Sequence, residues 1–139
     1  MIRRVAAIIY GVISLAVISF QIALAAGAPW GEYAMGGAVP GQFPPALRIT
    51  ALIQAALIAG MALVVLSRAG LILPGWWRVS RWLIWIIVGF LGFDLFLNLI
   101  TPSAGERAIW APTLGLLLIT SAVVAFGSSS KQPAPLSNH

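Results

Sequence analysis

The pattern of hydrophobic and polar positions divides the chain into four long apolar stretches joined by shorter polar segments. A helix needs roughly 20 apolar residues to cross a hydrocarbon core of about 30 Å. Because short connections make consecutive helices antiparallel, the pattern predicts an all-α fold, a transmembrane four-helix bundle with up-down-up-down connections. The predicted spans lie at about 5–26, 46–66, 81–100 and 108–126.

Proline and serine mark the limits of this bundle. The only proline within a predicted span is Pro112, which we place in the opening turns of the fourth span, where proline is tolerated. Residues 127–139 read GSSSKQPAPLSNH, a composition typical of disorder. We therefore predict one transmembrane domain, residues 1–126, followed by a disordered cytoplasmic tail, residues 127–139.

The composition supports a membrane protein and leaves little room for anything else. The chain has 139 residues, of which 60% are hydrophobic and 8% are charged, with a mean hydropathy of +1.00. Soluble domains carry roughly 25% charged residues. The four spans use most of the chain, so any binding site must lie within them or in their loops.

The scarcity of cysteine and histidine disfavours metal and haem sites. There is no cysteine, and the one histidine, His139, is the last residue. A metal or haem site needs several converging ligands, so we predict no metal and no cofactor. The net charge of +5 comes from basic residues that are spread along the chain, so no nucleic-acid partner is predicted.

The basic residues predict the orientation in the membrane, because Lys and Arg near span ends are retained on the cytoplasmic side. Six of the eight basic residues fall on one side of the predicted bundle and two on the other. We therefore predict that both termini lie in the cytoplasm. The six are Arg3, Arg4, Arg68, Arg78, Arg81 and Lys131, and the two are Arg48 and Arg107. Tryptophans near the span ends agree with this arrangement.

Two features of the spans leave alternatives open. The first span, with Arg3 and Arg4 before it and Ala23-Leu24-Ala25 near its end, could also be a cleaved signal peptide. Small residues at four-residue spacing in the second span, Ala51, Ala55 and Ala59, favour close helix packing. Gly89, Gly92 and Gly115 could act likewise, and this packing serves either the bundle itself or a homodimer.

The strongest polar residues of the spans lie at a similar depth near the outer side. Asp94 and Asn98 are four residues apart in LGFDLFLNLI and share one helix face. With a rise of 1.5 Å per residue, Asp94 lies roughly 9 Å below the outer surface. Gln21, Gln54 and Arg48 fall in the outer parts of the first two spans. The sequence therefore predicts a polar pocket at the outer side of the bundle.

Two interpretations of these polar residues remain open. An intramembrane carboxylate is a candidate ligand or proton site, and Arg48 is the expected counter-charge of Asp94. Alternatively, Asp94, Asn98, Gln21, Gln54 and Arg48 form a hydrogen-bond network that only holds the helices together.

The two remaining acidic residues lie outside the predicted spans. Ser103 and Glu106 match a capping box, which gives Glu106 a structural role at the start of the fourth helix. Glu32 lies between Trp30 and Tyr33 in a Gly/Pro-rich first loop that is too long for a minimal turn. We interpret Trp30, Glu32 and Tyr33 either as a lid over the pocket or as part of a flexible loop.

Short motifs in the loops resemble those of a group of small, uncharacterised four-span bacterial integral membrane proteins. The motifs are Gly27-Ala28-Pro29-Trp30-Gly31, Gly36-Gly37, Phe43-Pro44-Pro45-Ala46-Leu47-Arg48, and Asn98 with Thr101-Pro102-Ser103, Glu106-Arg107 and Trp110-Ala111-Pro112. The resemblance implies a four-span fold and a bacterial origin, and with the predicted spans it implies a location in the bacterial inner membrane. It implies no substrate.

Three classes of function are compatible with this sequence. A binding or accessory bundle is favoured, with the lipid bilayer around it and either a lipid-like ligand or a larger membrane complex as its partner. A proton-coupled small transporter that uses Asp94 is the alternative. A membrane enzyme is disfavoured because there is no Ser–His pair, no cysteine nucleophile and no metal set.

Overall fold

The computed structural model describes residues 2–34 and 37–127 and shows four long helices. Within these ranges there is no β-strand, and the predicted all-α four-helix fold is confirmed. Two short 3₁₀ turns lie in the loops, at Gly31–Tyr33 and Pro74–Trp76. The predicted disordered tail lies outside the described residues, except for Gly127. The helices are α1 (Ile2–Ala26), α2 (Pro45–Arg68), α3 (Trp77–Leu99) and α4 (Ala104–Phe126).

The helices are long enough and apolar enough to cross a bilayer. They contain 23 to 25 residues, or about 35 Å at 1.5 Å per residue, compared with a hydrocarbon core of about 30 Å. Large apolar side chains face outward on all four helices, among them Val12, Ile53, Phe93 and Ile119. In water such a surface would be unfavourable, whereas in lipid it matches the surroundings. This is a small multi-pass membrane protein.

Local signals in the sequence define the helix ends. Gly27 follows α1 with φ of 106°, and the amide of Ala28 donates to the carbonyl of Ala23 at 2.9 Å. Gly70 follows α2 with φ of 78°, and the same bonding pattern is formed there by Leu71 and Leu66. Glycine adopts this left-handed conformation without steric cost, so both helices stop where the hydrophobic pattern breaks.

The fourth helix begins earlier than its apolar run. Ser103 accepts a hydrogen bond from the amide of Glu106 at 3.1 Å, so α4 starts at Ala104. Pro112 therefore lies more than two turns inside α4, and the prediction that it falls in the opening turns is wrong. Without an amide hydrogen, Pro112 leaves the carbonyl of Ala108 without its usual helical donor. The helix nevertheless continues to Phe126.

The four helices form a ring in chain order, with each helix packed against its sequence neighbours and α4 against α1. We call the end that carries residues 2–4, 69–76 and 127 the terminal end, and the end that carries the first loop and residues 100–103 the loop end. The half of the bundle towards the terminal end is closed by a core of fully buried side chains. Its most buried members are Ala7, Tyr10, Val65, Ile84 and Val124.

Helices α2 and α3 pack together less closely than any other neighbouring pair in the ring. As predicted, Ala51 and Ala55 are buried, and Ala51 packs with Leu24 of α1. By contrast, a Cβ atom added at any of the three glycines predicted to mediate packing would have nothing within 4 Å. Those glycines therefore do not bring helices together within the described part of this chain. They are Gly89, Gly92 and Gly115.

Candidate ligand-binding cavity

A cavity of about 820 Å³ lies mainly in the half of the bundle towards the loop end and extends past the middle of the bundle as far as Tyr10 and Met61. Ligand pockets in proteins measure roughly 300–1,000 Å³, so this cavity is large enough for a drug-sized molecule. Its wall is mostly apolar, and a limited number of polar residues interrupt it. The polar residues are Ser14, Gln21, Tyr33, Thr50, Gln54, Asp94, Asn98, Thr101, Glu106 and Thr113.

All four helices contribute polar residues to this one cavity. Of the residues that the sequence singled out, Asp94, Asn98, Gln21, Gln54 and Tyr33 line it. The hydropathy pattern placed the helical members of this group at a similar depth, and packing brings them around a common space. Arg48, Glu32 and Trp30 do not line the cavity, although the sequence analysis grouped them with the others.

The relation between Asp94 and Asn98 is local to α3. The Asn98 amide nitrogen donates to the Asp94 backbone carbonyl at 2.9 Å and to the Asp94 Oδ1 atom at 3.2 Å. Because Asp94 and Asn98 lie four residues apart, they share one helix face, and the Asn98 side chain can donate to Asp94. Asn98 therefore orients the Asp94 carboxylate within the cavity. The other carboxylate oxygen, Oδ2, takes no part in this contact.

Arg48 does not neutralise Asp94. Its Nε atom donates to the carbonyl of Phe43 at 2.8 Å, and its guanidinium group covers Gly27, where an added Cβ would lie 3.3 Å from Nη2. The nearby charge that acts on Asp94 is that of Glu106. The expected Arg48–Asp94 pair is therefore not formed. Arg48 instead fastens the start of α2 to the end of α1.

Glu106 is the residue whose role the sequence analysis missed. Only half of the predicted capping box is present, because Ser103 caps the Glu106 amide while the Glu106 carboxylate turns elsewhere. Its Oε2 atom accepts from the Thr101 hydroxyl at 3.3 Å, and Glu106 is 8% exposed and lines the cavity. The short turn at residues 100–103 was the available signal, since it must bring Glu106 to the end of α3 that carries Asp94.

The polar residues of the cavity do not join the helices to one another. Among the described residues, the side-chain hydrogen bonds of the four that follow each stay within one helix or its adjoining turn. Thr50 donates to Ala46, Thr113 donates to Ile109, Asn98 donates to Asp94, and Thr101 donates to Glu106. A network that only held the bundle together would cross between helices. This geometry favours the site interpretation over the purely structural one.

Two polar atoms in the wall have no hydrogen-bond partner in the described structure. Ser14 is 1% exposed, and its hydroxyl oxygen is unpartnered. The Oε1 atom of Gln21, two turns further along α1, is also buried and unpartnered. Buried polar groups are normally hydrogen-bonded, because an unpaired one costs roughly 1–3 kcal/mol. Ser14 and Gln21 both line the cavity, so a rotation of either side chain would bring its unpartnered oxygen to a molecule bound there.

The first loop closes the cavity at the loop end. The indole Nε1 of Trp110 donates to the carbonyl of Tyr33, and the Ser103 hydroxyl donates to the carbonyl of Glu32 at 3.1 Å. Tyr33 and Phe43 line the cavity from this loop. A hydrogen bond to the Glu32 carboxylate, reinforced by its negative charge, raises the pKa of Tyr33, so the phenol is neutral at physiological pH. The 3₁₀ turn is therefore docked on α4 as a roof.

The cavity opens sideways, between α2 and α3. Lining residues from α1 and α4 are all buried or half-buried. On α2 and α3, by contrast, several residues line the cavity and are also exposed on the outer surface: Leu57 is 63% exposed, Ile86 is 66% exposed and Phe90 is 55% exposed. Such residues lie on both α2 and α3, the neighbouring helices that pack least closely, and together they mark an opening between them. We call this opening the lateral portal, defined by Gln54, Leu57, Ile86, Phe90 and Leu97.

Comparisons of the chain with family models, with curated proteins and with solved structures gave no match. The chemistry of the cavity therefore has to be derived from its own residues. Those residues are two carboxylates, several neutral polar groups and an aromatic and aliphatic wall. No lysine, arginine or histidine lines the cavity within the described part of the chain.

Proposed function

We propose that this protein is a membrane-embedded binding protein that takes an amphipathic molecule from the surrounding lipid into its cavity. The observation that carries this proposal is the lateral portal, which connects a cavity containing polar groups to the lipid-facing surface. A molecule with an apolar body and a polar group could enter through it without passing through water. The polar group would reach Asp94 and its neighbours, and the apolar body would remain against α2 and α3.

A proton-coupled transporter that uses Asp94 is the second candidate function. It is supported by a carboxylate that faces an internal cavity, since intramembrane ionisable residues are functional candidates. The closed core at the terminal end counts against it, because this conformation offers no path through that half of the bundle. Flux of a bound molecule across vesicle membranes, driven by a pH gradient, would favour the transporter.

Filling the cavity should abolish ligand binding. Thr50 is a half-buried lining residue whose hydroxyl bonds only within α2, so Thr50→Phe inserts a ring without breaking contacts between helices. We expect a molecule that co-purifies with the wild-type protein in gentle detergent to fall at least about tenfold in occupancy, equivalent to about 1.4 kcal/mol. Native mass spectrometry and analysis of extracted small molecules would measure this.

Ile53→Phe is the matched control for this experiment. Ile53 lies on the same helix, is 56% exposed and does not line the cavity, so the added ring faces lipid. Occupancy in this variant should equal that of the wild type. Equal occupancy in Thr50→Phe and Ile53→Phe would show that the bound molecule is not in the cavity and would contradict the proposal.

We infer that the terminal end faces the cytoplasm of a bacterial cell and that the protein resides in the inner membrane. The structure groups Arg3, Arg4, Arg68, Arg78 and Arg81 at the terminal end, where the charge rule requires them. Arg68 is 9% exposed, and its guanidinium lies 5.1 Å from the ring centroid of Trp77. Under this orientation the cavity lies in the periplasmic half of the membrane, within reach of outer-leaflet lipids.

The orientation can be tested directly because the chain contains no cysteine. Gln42→Cys introduces a single thiol at the loop end, and Gly75→Cys introduces one at the terminal end; both positions are exposed. In intact spheroplasts, a membrane-impermeant maleimide should label Gln42→Cys and not Gly75→Cys. Permeabilised cells should label both. The reverse pattern in intact cells would show that the termini are periplasmic.

A further inference from the structure

The charges that face the cavity are of one sign. Asp94, near the end of α3, and Glu106, near the start of α4, both line it. Each carboxylate accepts from a neutral donor, Asn98 for one and Thr101 for the other. Among the described lining residues no basic side chain is present. A carboxylate in a low-dielectric site is costly without a counter-charge, so an ionised pair here calls for a cation from outside the chain.

The neutral wall residues are compatible with such a ligand. Gln21 Oε1 and the Ser14 hydroxyl oxygen are acceptors without a hydrogen-bond partner among the described residues, and both atoms are themselves buried. They reach a ligand only if their side chains turn towards the cavity, which both residues line. An ammonium group carries only hydrogen-bond donors. It would therefore supply the donors that these unpartnered acceptor atoms lack. An anionic group would instead meet two carboxylates and no positive charge.

The rest of the wall suits the body of an organic cation. Phe20, Tyr33, Phe90 and Trp110 line the cavity, and the rings of Phe20 and Trp110 pack edge to face with centroids 4.8 Å apart. Aromatic faces attract cations by roughly 0.5–2 kcal/mol, and more strongly when the cation is desolvated. A small hydrated metal ion would gain little from this apolar surface. An alkyl or aryl group would fill it.

We propose that the cavity binds a lipophilic organic cation, an amine or ammonium compound whose positive group lies between Asp94 and Glu106 and whose apolar body lies at the lateral portal. This inference rests on the proposed binding function and adds the chemical class of the ligand. The cation can be a free amphiphilic amine dissolved in the bilayer or the amine headgroup of a lipid. Both present the same chemistry to the two carboxylates.

Three probes with one skeleton and different charges test this proposal. 4-Phenylbutylamine is cationic at neutral pH, 4-phenylbutanol is neutral and 4-phenylbutanoate is anionic. Binding to the wild-type protein in nanodiscs, corrected for partition into protein-free nanodiscs, would be measured by calorimetry. We expect the amine to bind at least about tenfold more tightly than the alcohol, since hydrogen bonds to charged groups contribute about 1.5–3 kcal/mol. The carboxylate should not bind measurably.

Substitution of the acidic residues locates the binding site. Asp94→Asn and Glu106→Gln should each weaken binding of the amine about tenfold or more and leave binding of the alcohol nearly unchanged. Glu32→Gln is the matched control, because Glu32 is the one other acidic residue of the chain and lies outside the cavity. It removes the same charge from the roof and should weaken binding of the amine much less than either substitution in the cavity.

The outcomes separate this inference from the proposed function. If amine, alcohol and carboxylate bind alike and Thr50→Phe blocks all three, the cavity is a binding site and the cation inference is wrong. If Thr50→Phe blocks none, the binding function itself fails. The comparison of probes on the wild-type protein stands even where an acidic-site variant does not fold.

The lipid composition of the nanodiscs distinguishes a lipid headgroup from a free amine as the source of the cation. Nanodiscs that contain phosphatidylethanolamine should reduce binding of the amine, relative to nanodiscs of phosphatidylglycerol, when a lipid headgroup is the natural occupant. Equal binding in the two lipids, with the preference for the amine retained, identifies a free cation. Both results support a cation bound at the two carboxylates.

Discussion

Replacing Ile84 by alanine is expected to lower the free energy of unfolding by about 2 kcal/mol, because it opens a hole in a tightly packed core. Ile84 is 0% exposed and packs in the cluster that includes Tyr10, Val65 and Val124. In a bilayer, the Ile84 side chain of the unfolded protein is surrounded by lipid, so the hydrophobic transfer contribution to the free energy of unfolding is small. Most of the lost stability therefore comes from packing. Reversible unfolding in mixed detergent, followed by tryptophan fluorescence, would measure this.

Ile119→Ala provides the matched control, since it makes the same chemical change on α4. Ile119 is 60% exposed and faces lipid, so this substitution should change the free energy of unfolding by less than about 0.5 kcal/mol. A similar loss in both variants would mean that the half of the bundle towards the terminal end is not a packed core. That half of the bundle could then contain a continuous path for a transported molecule.

Replacing Gly31 by alanine is expected to undock the first loop from α4. An added Cβ would overlap the Val39 carbonyl oxygen and lie 2.7 Å from that of Gly41, so the backbone must move. The hydrogen bond from the Gly31 amide to Gly41, 3.0 Å long, would be broken by that movement. We expect a cost of about 2 kcal/mol, which corresponds to roughly thirtyfold more of the undocked loop.

Limited digestion with chymotrypsin measures the undocked population, because the first loop carries aromatic residues. Cleavage in the loop should accelerate by about the same thirtyfold factor, while the helices remain resistant. Gly89→Ala is the control, because an added Cβ there meets no atom within 4 Å and cleavage should be unchanged. If Gly31→Ala were cleaved at the wild-type rate, the loop would not be held over the cavity as the structure shows.

Under the proposed binding function, these two regions limit the routes by which a ligand enters and leaves. The terminal end is closed by side-chain packing, and the loop end is covered by the roof that Trp110 and Ser103 hold in place. The lateral portal remains as the route to the cavity. Exchange with lipid should therefore depend on side chains such as Leu57 and Phe90, and much less on the size of molecules in the aqueous phase.

Features that depend on short stretches of chain could be predicted from the sequence. Hydropathy alone gave the four helices, because each is stabilised by its own backbone hydrogen bonds and by its match to lipid. The shared face of Asp94 and Asn98 follows from the helical repeat, and the hydrogen bond between them stays within one helix. The common depth of Gln21, Gln54 and Asp94 likewise follows from span boundaries and helical rise.

The contacts between side chains around the cavity depend on tertiary packing, which no local sequence pattern specifies. Arg48 was expected at Asp94 because its side chain is long enough, but length does not show direction, and the carbonyl of Phe43 was the nearer acceptor. Glu106 was assigned wholly to a helix cap because its spacing from Ser103 accounted for it. Only the turn at residues 100–103 decided that its carboxylate faces the cavity.

The sequence by itself therefore determined that this is a four-span membrane protein, with its polar span residues at one level near one end of the bundle. The tertiary structure decided that α2 and α3 separate there, that the first loop covers the space and that two acidic side chains share it without a basic neighbour among the described lining residues. The physical reason is that helix formation and membrane insertion respond to composition along one segment. The shape and charge of a cavity depend instead on which side chains of different segments meet.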